Sequence, residues 1–199
     1  MTNKIITISR QFGSGGRFIG EEVAKKLNIA YYDKDIIEEI AKESGLSPKY
    51  IEEKGELSSK RGLFSYAFSG RDSIGKTVED IMYEAQRKVI LQIAEKESCV
   101  IIGRNADYIL KDRDDVLNVF ICGNMANKID RISKLYSLDN ENAEKMINDI
   151  DKRRRTNYNF YTEQKWGMAR NYGLSLNSSI IGYKKCEEII IDCFNINKL

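Results

Sequence analysis

Histidine is absent from the 199-residue sequence, and proline occurs once. Without histidine the chain has no imidazole for general acid–base catalysis, for a Ser-His-Asp or Cys-His nucleophile, or for a metal site. Any chemistry must therefore come from arginine, lysine, aspartate and glutamate. Apolar runs long enough to span a bilayer are also missing, so we expect no membrane segment. The first residues show no secretion signal, which favours a cytoplasmic location.

Cysteine and net charge are both scarce. Four cysteines stand singly in apolar surroundings, with no C-x-x-C spacing: Cys99, Cys122, Cys186 and Cys193. This pattern predicts reduced structural thiols rather than disulfides or a zinc site. The net charge of +2 is too small to indicate a general nucleic-acid surface. The basic run KRRR at 152–155 nevertheless needs a ligand, or it is a solvated helix face.

Short apolar runs alternate with amphipathic stretches along the chain. We predict strands at 4–9, 29–32, 99–102, 116–122 and 174–177. We predict helices after the glycines near residue 15, at 35–44, from residue 48, and at 78–96, 125–136, 141–158 and 183–194. The run EIIIDC at 188–193 also fits a strand, and local pattern does not decide between the two. The alternation predicts one α/β domain over residues 1–199, with a doubly wound, largely parallel sheet.

Two segments break this alternation. Residues 55–76 are rich in serine, glycine and isolated aromatics without clear periodicity, which is typical of a mobile or partner-facing segment. Residues 159–172 are polar and aromatic, and we interpret them as part of an insertion near the functional site.

A glycine cluster directly follows the first predicted strand and precedes a helix. Such a loop lets backbone N–H groups and the helix N-terminus converge on a phosphate. The loop residues are Gly13, Ser14, Gly15, Gly16, Arg17 and Phe18. Arg17 replaces the lysine of the motif G-x-x-x-x-G-K-[ST], Gln11 replaces its first glycine, and Phe18 replaces its metal-binding hydroxyl. The alternative is a glycine turn that only packs a helix on the sheet.

A complete formal match to the same motif occurs at residues 70–77, GRDSIGKT. The motif carries meaning only between a buried strand and a helix. The preceding LFSYAFS is interrupted by polar residues and lies in the irregular segment. We therefore favour the loop at Gly13 to Arg17 as the phosphate site and keep residues 70–77 as its rival.

Several segments, in this order and spacing, resemble the cytidylate-kinase-like family of nucleoside monophosphate kinases. They are SRQFGSGGRFIGEEVAKKL, YYDKDII, CVIIGRNADYIL, VLNVFICG, DKRRRTNYNFYTEQKWG and NYGLSLNSS. The resemblance implies a three-layer P-loop NTPase fold with a five-stranded parallel sheet, helices on both faces and a helical lid. It places a mobile acceptor-side insertion at about 45–77 and the lid at about 140–172.

The resemblance also implies phosphoryl transfer from ATP, with Mg²⁺, to a nucleoside monophosphate, CMP or dCMP first. Gly13 to Phe18 would bind ATP. Asp33 would bind the acceptor ribose, although it also fits a helix N-cap. Arg104 would bind the acceptor phosphate or form a surface ion pair. The catalytic set would be Arg17, Arg104, Lys152 and Arg154, with Arg131 weaker and Arg153 and Arg155 less securely placed.

Two departures from cytidylate kinases proper bear on activity. Ile102 precedes Gly103-Arg104 where those enzymes have an aspartate that could organise magnesium, and the loop lysine is missing. The metal ligands are therefore unassigned. A second reading follows: a nucleotide-binding regulatory protein with weak or no kinase activity. A nucleic-acid module built on residues 152–155 with Tyr158 and Tyr161 is a third reading, disfavoured by the small net charge. We expect a monomer or homodimer.

Overall fold

A computed structural model describes residues 3–33, 35–54 and 77–196. Within them, strands form one sheet: β1 (Ile5–Arg10), β2 (Ala30–Tyr32), β3 (Cys99–Ile102), β4 (Val116–Cys122) and β5 (Leu174–Asn177). The sheet is five-stranded with order β2-β3-β1-β4-β5, and every neighbouring pair is parallel. The predicted α/β class and five-stranded parallel sheet are confirmed.

Helices connect the strands and cover both faces of the sheet. They are α1 (Gly16–Leu27), α2 (Asp35–Ser44), α3 (Pro48–Lys54), α4 (Val78–Lys96), α5 (Ala106–Ile109), α6 (Met125–Tyr136), α7 (Asn140–Thr162), α8 (Ser178–Ile181) and α9 (Tyr183–Phe194), with a short 3₁₀ turn at Ala169–Asn171. The predicted bounds of α2, α4 and α6 are those observed. Helix α7 continues past the predicted end at residue 158 because Tyr158 and Thr162 extend its buried stripe.

Alternating side chains of the central strands divide the core into two layers. Ile5 packs in a cluster with α2 and α4, whereas Ile6 and Ile8 pack in a second cluster with α1 and α9. All three isoleucines are fully buried. Each buried isoleucine contributes roughly 1.5–3 kcal/mol to folding. This three-layer packing fixes α1 against β1 and so fixes the loop that joins them.

The parallel register brings the carboxyl ends of neighbouring strands to one edge. Arg10, the last residue of β1, pairs with Ile121 of β4, and Ile8 pairs with Ile102 of β3. The segments that leave this edge are the glycine loop after β1, the turn at Gly103 after β3 and the start of α6 after β4. Ligand sites of open α/β sheets lie at this edge.

Residues 188–193, for which the sequence pattern allowed either a strand or a helix, belong to helix α9. In α9 the buried residues Cys186, Ile190 and Phe194 recur every four positions and pack in the core cluster that contains α1. Lys26 of α1 lies 2.6 Å from Glu187. Residues 188–193 therefore belong to a surface helix rather than to a sixth strand.

Helices α6 and α7 form a hairpin that packs beside the glycine loop. Ile132, Ala143 and Ile147 are buried between the two helices, and Phe12 of the loop packs against this cluster. The hairpin is thus joined to the loop by an apolar contact.

The rival motif at residues 70–77 lies outside the described residues except for Thr77. Thr77 caps α4: its hydroxyl accepts a hydrogen bond from the backbone N–H of Asp80, and the Asp80 carboxylate accepts one from the backbone N–H of Thr77. Such a cap contributes about 1 kcal/mol. The insertion predicted at about 45–77 is described only over α3 and the residues next to it. Among the described residues, no helix combines the length and apolar composition needed to cross a bilayer.

The cysteines are free thiols, as predicted. Burial raises the pKa of Cys99 to about 12. A thiol at such a position is inert at neutral pH.

Candidate active site

The glycine loop has the backbone geometry of an anion-binding turn. Gly13 and Gly15 have φ values of +81° and +79°, a region that favours glycine. Gly15 is the N-cap of α1, and the first turn of this helix contains no acidic residue. Its N-terminal N–H groups and the helix dipole therefore favour an anion at this position.

Close contacts leave no room for side chains in the loop. A Cβ atom added at Gly15 would lie 2.5 Å from Cζ of Tyr183, and one added at Gly16 would lie 2.7 Å from Cβ of Arg10. One added at Gly13 would lie 3.0 Å from Cβ of Lys128. The glycines are therefore required by packing as well as by backbone conformation.

Gln11, which replaces the first glycine of the motif, turns its side chain away from the loop. Its Oε1 accepts hydrogen bonds from the backbone N–H of Gly123 at 3.2 Å and from Nζ of Lys128 at 3.3 Å. The departure from the motif thus ties the loop to the end of β4 and to α6.

A buried ion pair holds the other side of the loop. Asp151 of α7 accepts a 2.6 Å hydrogen bond from the backbone N–H of Phe12, and Lys128 lies 3.4 Å from the same carboxylate. Burial raises the pKa of Asp151, while the Phe12 N–H and the Lys128 ammonium oppose this shift. Lys128, Gln11 and Asp151 together position the glycine loop against α6 and α7.

A cavity of about 470 Å³ opens beside the loop. Five arginines line it, from four helices or strands and one turn: Arg10, Arg17, Arg104, Arg131 and Arg154. Two carboxylates, Glu21 and Asp33, line the same cavity. The excess of positive charge makes this concave surface attractive to a polyanion.

Arg17 and Asp33 form an ion pair across the cavity. Nε of Arg17 lies 2.5 Å from Oδ2 of Asp33. The Arg17 side chain is 54% exposed, so solvent screens the pair and its contribution to stability is small. The pair brings the predicted ATP-binding and acceptor-binding residues within reach of one another.

Arg104 lies in a tight turn after β3. Arg104 and Asn105 both have positive φ, at 61° and 56°, a conformation that costs about 1 kcal/mol or more for each residue with a side chain. The amide of Gln86 donates a 2.7 Å hydrogen bond to the Arg104 carbonyl, and Asn105 donates one to Asn157. The surrounding structure thus holds a strained turn that points the Arg104 side chain into the cavity.

Arg154 lies at the base of the loop rather than over it. Its Nη1 donates a 3.0 Å hydrogen bond to the Arg10 carbonyl, and its guanidinium lies 5.8 Å from the centre of the Phe12 ring. The other basic residues of the run point elsewhere: Arg153 pairs with Asp149, while Lys152 and Arg155 are exposed and line neither this cavity nor the one described next. The catalytic role of Lys152 stays a prediction.

A second cavity, of about 640 Å³, adjoins the first. It shares Gly13 and Arg131 with the first cavity and adds Ser178, Ser179 and Tyr183. Arg131 donates a 3.0 Å hydrogen bond to the Tyr183 hydroxyl and lies over its ring. The glycine loop therefore contributes to two adjoining cavities, each lined in part by polar groups.

A buried carboxylate lies under the arginine cavity. Asp107 of α5 accepts hydrogen bonds from the Tyr158 hydroxyl at 2.7 Å and from the Ser9 hydroxyl at 3.4 Å. Burial raises the pKa of Asp107 from its ordinary value of 3.8 to about 6, against the opposing effect of these hydrogen bonds. Asp107 thereby joins β1, α5 and α7 behind Arg10.

The residues that the structure describes do not fit a protein-held Mg²⁺. An exposed phenyl ring, Phe18, occupies the position of the hydroxyl ligand. The described residues contain no group of three His, Cys, Asp or Glu side chains that could hold a metal. Of the two carboxylates that line the cavity, Asp33 is paired with Arg17.

The sequence profile of the cytidylate kinase-like family matches residues 5–180. The chain belongs to this family. A search of curated proteins found no match. Among solved structures, an uncharacterized protein from Eubacterium ventriosum is similar over 98% of this chain and 100% of its own, with 27% identity and a TM-score of 0.76.

Two shikimate kinases share the fold. The enzyme from Bacteroides thetaiotaomicron has 14% identity and a TM-score of 0.55 over 97% of this chain and 99% of its own. The enzyme from Acinetobacter baumannii, in complex with shikimate, has 17% identity and the same TM-score of 0.55 over 100% of this chain and 96% of its own. The family member therefore has the P-loop NTPase fold of kinases, as predicted.

Several residues that build this site are not identified by the sequence pattern. Arg10 carried a signal, because it ends a buried strand immediately before the loop. No local sequence pattern identifies Lys128, Asp151 or Tyr183, because each belongs to a helix far along the chain from the glycine loop. Asp107 resembled an ordinary first-turn acid of a short helix.

Proposed function

We propose that this family member is an ATP-dependent phosphotransferase whose acceptor is a nucleoside monophosphate, with CMP or dCMP as the first candidates. One observation carries the proposal: a glycine loop with the backbone geometry of an anion-binding turn lines two adjoining cavities, one of which is lined by five arginines. Phosphoryl transfer needs space for a donor, space for an acceptor and positive charge between them. This arrangement supplies all three.

The donor would place its terminal phosphates at the loop. The backbone N–H groups at the start of α1 would bind phosphate oxygens, and Arg17 would contact them from the next residue. The second cavity is on the donor side in this proposal, where the Tyr183 ring offers an apolar face to the base. Phe18 lies beside it, with its ring centre 6.0 Å from that of Tyr183.

The acceptor would occupy the arginine cavity. Asp33 can accept hydrogen bonds from ribose hydroxyls, and Arg104 can bind the monophosphate through two parallel N–H groups. The strained turn that holds Arg104 supports this role, because the strain is kept by specific hydrogen bonds to the neighbouring helices.

Transfer itself would depend on positioning and neutralisation. The migrating group carries its charge on oxygen atoms, so guanidinium groups can stabilise it without a strong base. Arg154 is placed for this role because it reaches the cavity from α7 and is fixed by the Arg10 carbonyl. The lid at about 140–172 would bring Lys152 closer only by moving.

The direct test is incubation of the purified protein with ATP, Mg²⁺ and each nucleoside monophosphate, followed by separation of the nucleotide products. We expect ADP and one nucleoside diphosphate in equal amounts, with CMP or dCMP giving the fastest reaction. An Arg104→Ala variant provides the matched control for acceptor use. Release of ADP without a diphosphate product, or no reaction with any acceptor, would contradict the proposal.

A second function is supported by Phe18 and by the lack of an acidic cluster among the described residues. A nucleotide-binding regulatory protein would keep the loop and the arginines and would lack efficient transfer. Calorimetry that shows ATP binding together with no product in the assay above would favour it over the kinase.

A further inference from the structure

The loop ends in a residue that cannot hold a metal. Phe18 is the third residue of α1, and its ring is 43% exposed at the cavity. The two serine hydroxyls at the loop donate to main-chain carbonyls: Ser14 to Gln11 at 2.8 Å, and Ser178 to Ser14 at 2.7 Å. The protons of these two hydroxyls are therefore used within the loop, and the motif position that would supply a metal-binding oxygen has none.

The charges of the cavity replace those that a divalent cation would bring. Among the described residues that line the cavity, five guanidinium groups and two carboxylates leave an excess of three positive charges. The pair of Lys128 and Asp151 adds none, because the two charges oppose each other beneath the loop. A dication inserted among these arginines would be repelled, whereas a polyphosphate that has lost its metal carries more negative charge and would be attracted more strongly.

We infer that the cavity arginines at the glycine loop, Arg17 first among them, neutralise the polyphosphate in place of a protein-held divalent cation. The protein then binds metal-free ATP at least as tightly as its magnesium complex. The inference rests on the proposed function for its choice of ATP as the ligand. It assigns to Arg17 and its neighbours the positive charge that a Mg²⁺ ion held by a serine or threonine hydroxyl would supply in a complete P-loop motif.

The first experiment is calorimetric titration of the full chain with ATP, once with EDTA and once with excess Mg²⁺. We expect the dissociation constant in EDTA to equal or fall below that in Mg²⁺. A constant about tenfold or more tighter in Mg²⁺, equivalent to about 1.4 kcal/mol, would overturn the inference and leave the proposed function standing. No binding in either buffer would contradict the proposed function and this inference together.

The second experiment assigns the effect to the arginines. Arg17 is exposed enough for Arg17→Gln to leave the core intact. We expect this variant to weaken binding of metal-free ATP by about a hundredfold and of the magnesium complex by about thirtyfold, because the removed charge acts more strongly on the more negative ligand. Lys185→Ala, an exposed charge on α9 paired with Glu188, should change neither constant. Equal weakening of both ligands by Arg17→Gln would overturn the inference.

Discussion

Replacing Asp107 with asparagine should flatten the pH dependence of the free energy of unfolding. The carboxylate is buried behind Arg10 and accepts hydrogen bonds from Tyr158 and Ser9. Asparagine keeps the shape and one acceptor oxygen but has no proton to lose. The substitution therefore removes a titration and leaves most of the packing in place.

The sign and magnitude follow from the pKa of this group. Burial raises the pKa of Asp107 from 3.8 to about 6 in the folded protein. Between these values the folded state binds more protons than the unfolded state, so stability falls as the pH rises. The full effect is about 3 kcal/mol, of which about 2 kcal/mol falls between pH 4 and pH 6, at 1.36 kcal/mol for each pKa unit. The unfolding free energy of Asp107→Asn minus that of the native chain should rise by this amount.

Urea titrations at pH 4, 5, 6 and 7 measure the effect. The single tryptophan, Trp166, packs edge-on against Phe120 with ring centres 5.3 Å apart, so its fluorescence reports unfolding. Asp139→Asn is the control with the opposite sign: backbone N–H groups lower the pKa of Asp139, so this carboxylate loses its contribution as the pH falls. Parallel pH profiles for the native chain and Asp107→Asn would refute the reasoning.

Three further predictions concern the loop and its arginines. Arg104→Ala should weaken monophosphate binding by about tenfold to a hundredfold, because charge-assisted hydrogen bonds contribute about 1.5–3 kcal/mol. ATP affinity, measured in a separate titration, should stay nearly constant. Equal losses of affinity for the two nucleotides would contradict the acceptor role. Arg154→Ala should lower kcat about a hundredfold, or about 2.7 kcal/mol, whereas Arg153→Ala on the same helix should leave turnover near normal. Gly15→Ala should lower the melting temperature and abolish protection by ATP, because alanine would meet Tyr183 at a positive φ; unchanged protection would remove the loop from the site.

The regular elements could be predicted because their signals are local. Helix α4 begins at a threonine with an acid three residues later and carries apolar residues at helical spacing. The strand β3 is a run of four buried residues ended by Gly103. The loop at Gly13 lies between two such elements, so its place at the sheet edge followed from the alternation alone. The family resemblance added Arg104 and Arg154, which line the cavity.

The side-chain contacts that hold the glycine loop in place could not be predicted, because they join segments that are distant in the sequence. Asp151 meets the backbone of Phe12 across 139 positions, and Lys128 meets Gln11 across 117. No local pattern identifies the one N–H group that a helical aspartate will bind. The orientation of the side chains at 152–155 could not be predicted for the same reason. Tertiary packing alone decides that Arg154 faces the cavity while Lys152 faces solvent.

Thermal protection by ATP tests most directly whether the phosphate site is the loop at Gly13 to Arg17. A ligand at a hundred times its dissociation constant adds about 2.7 kcal/mol, which raises the melting temperature of a chain of this size by about 5–10 °C. We predict this shift for the native chain and for Lys76→Ala, and loss of most of it for Arg17→Ala. The reverse result, with protection kept in Arg17→Ala and lost in Lys76→Ala, would contradict the account and move the phosphate site to residues 70–77.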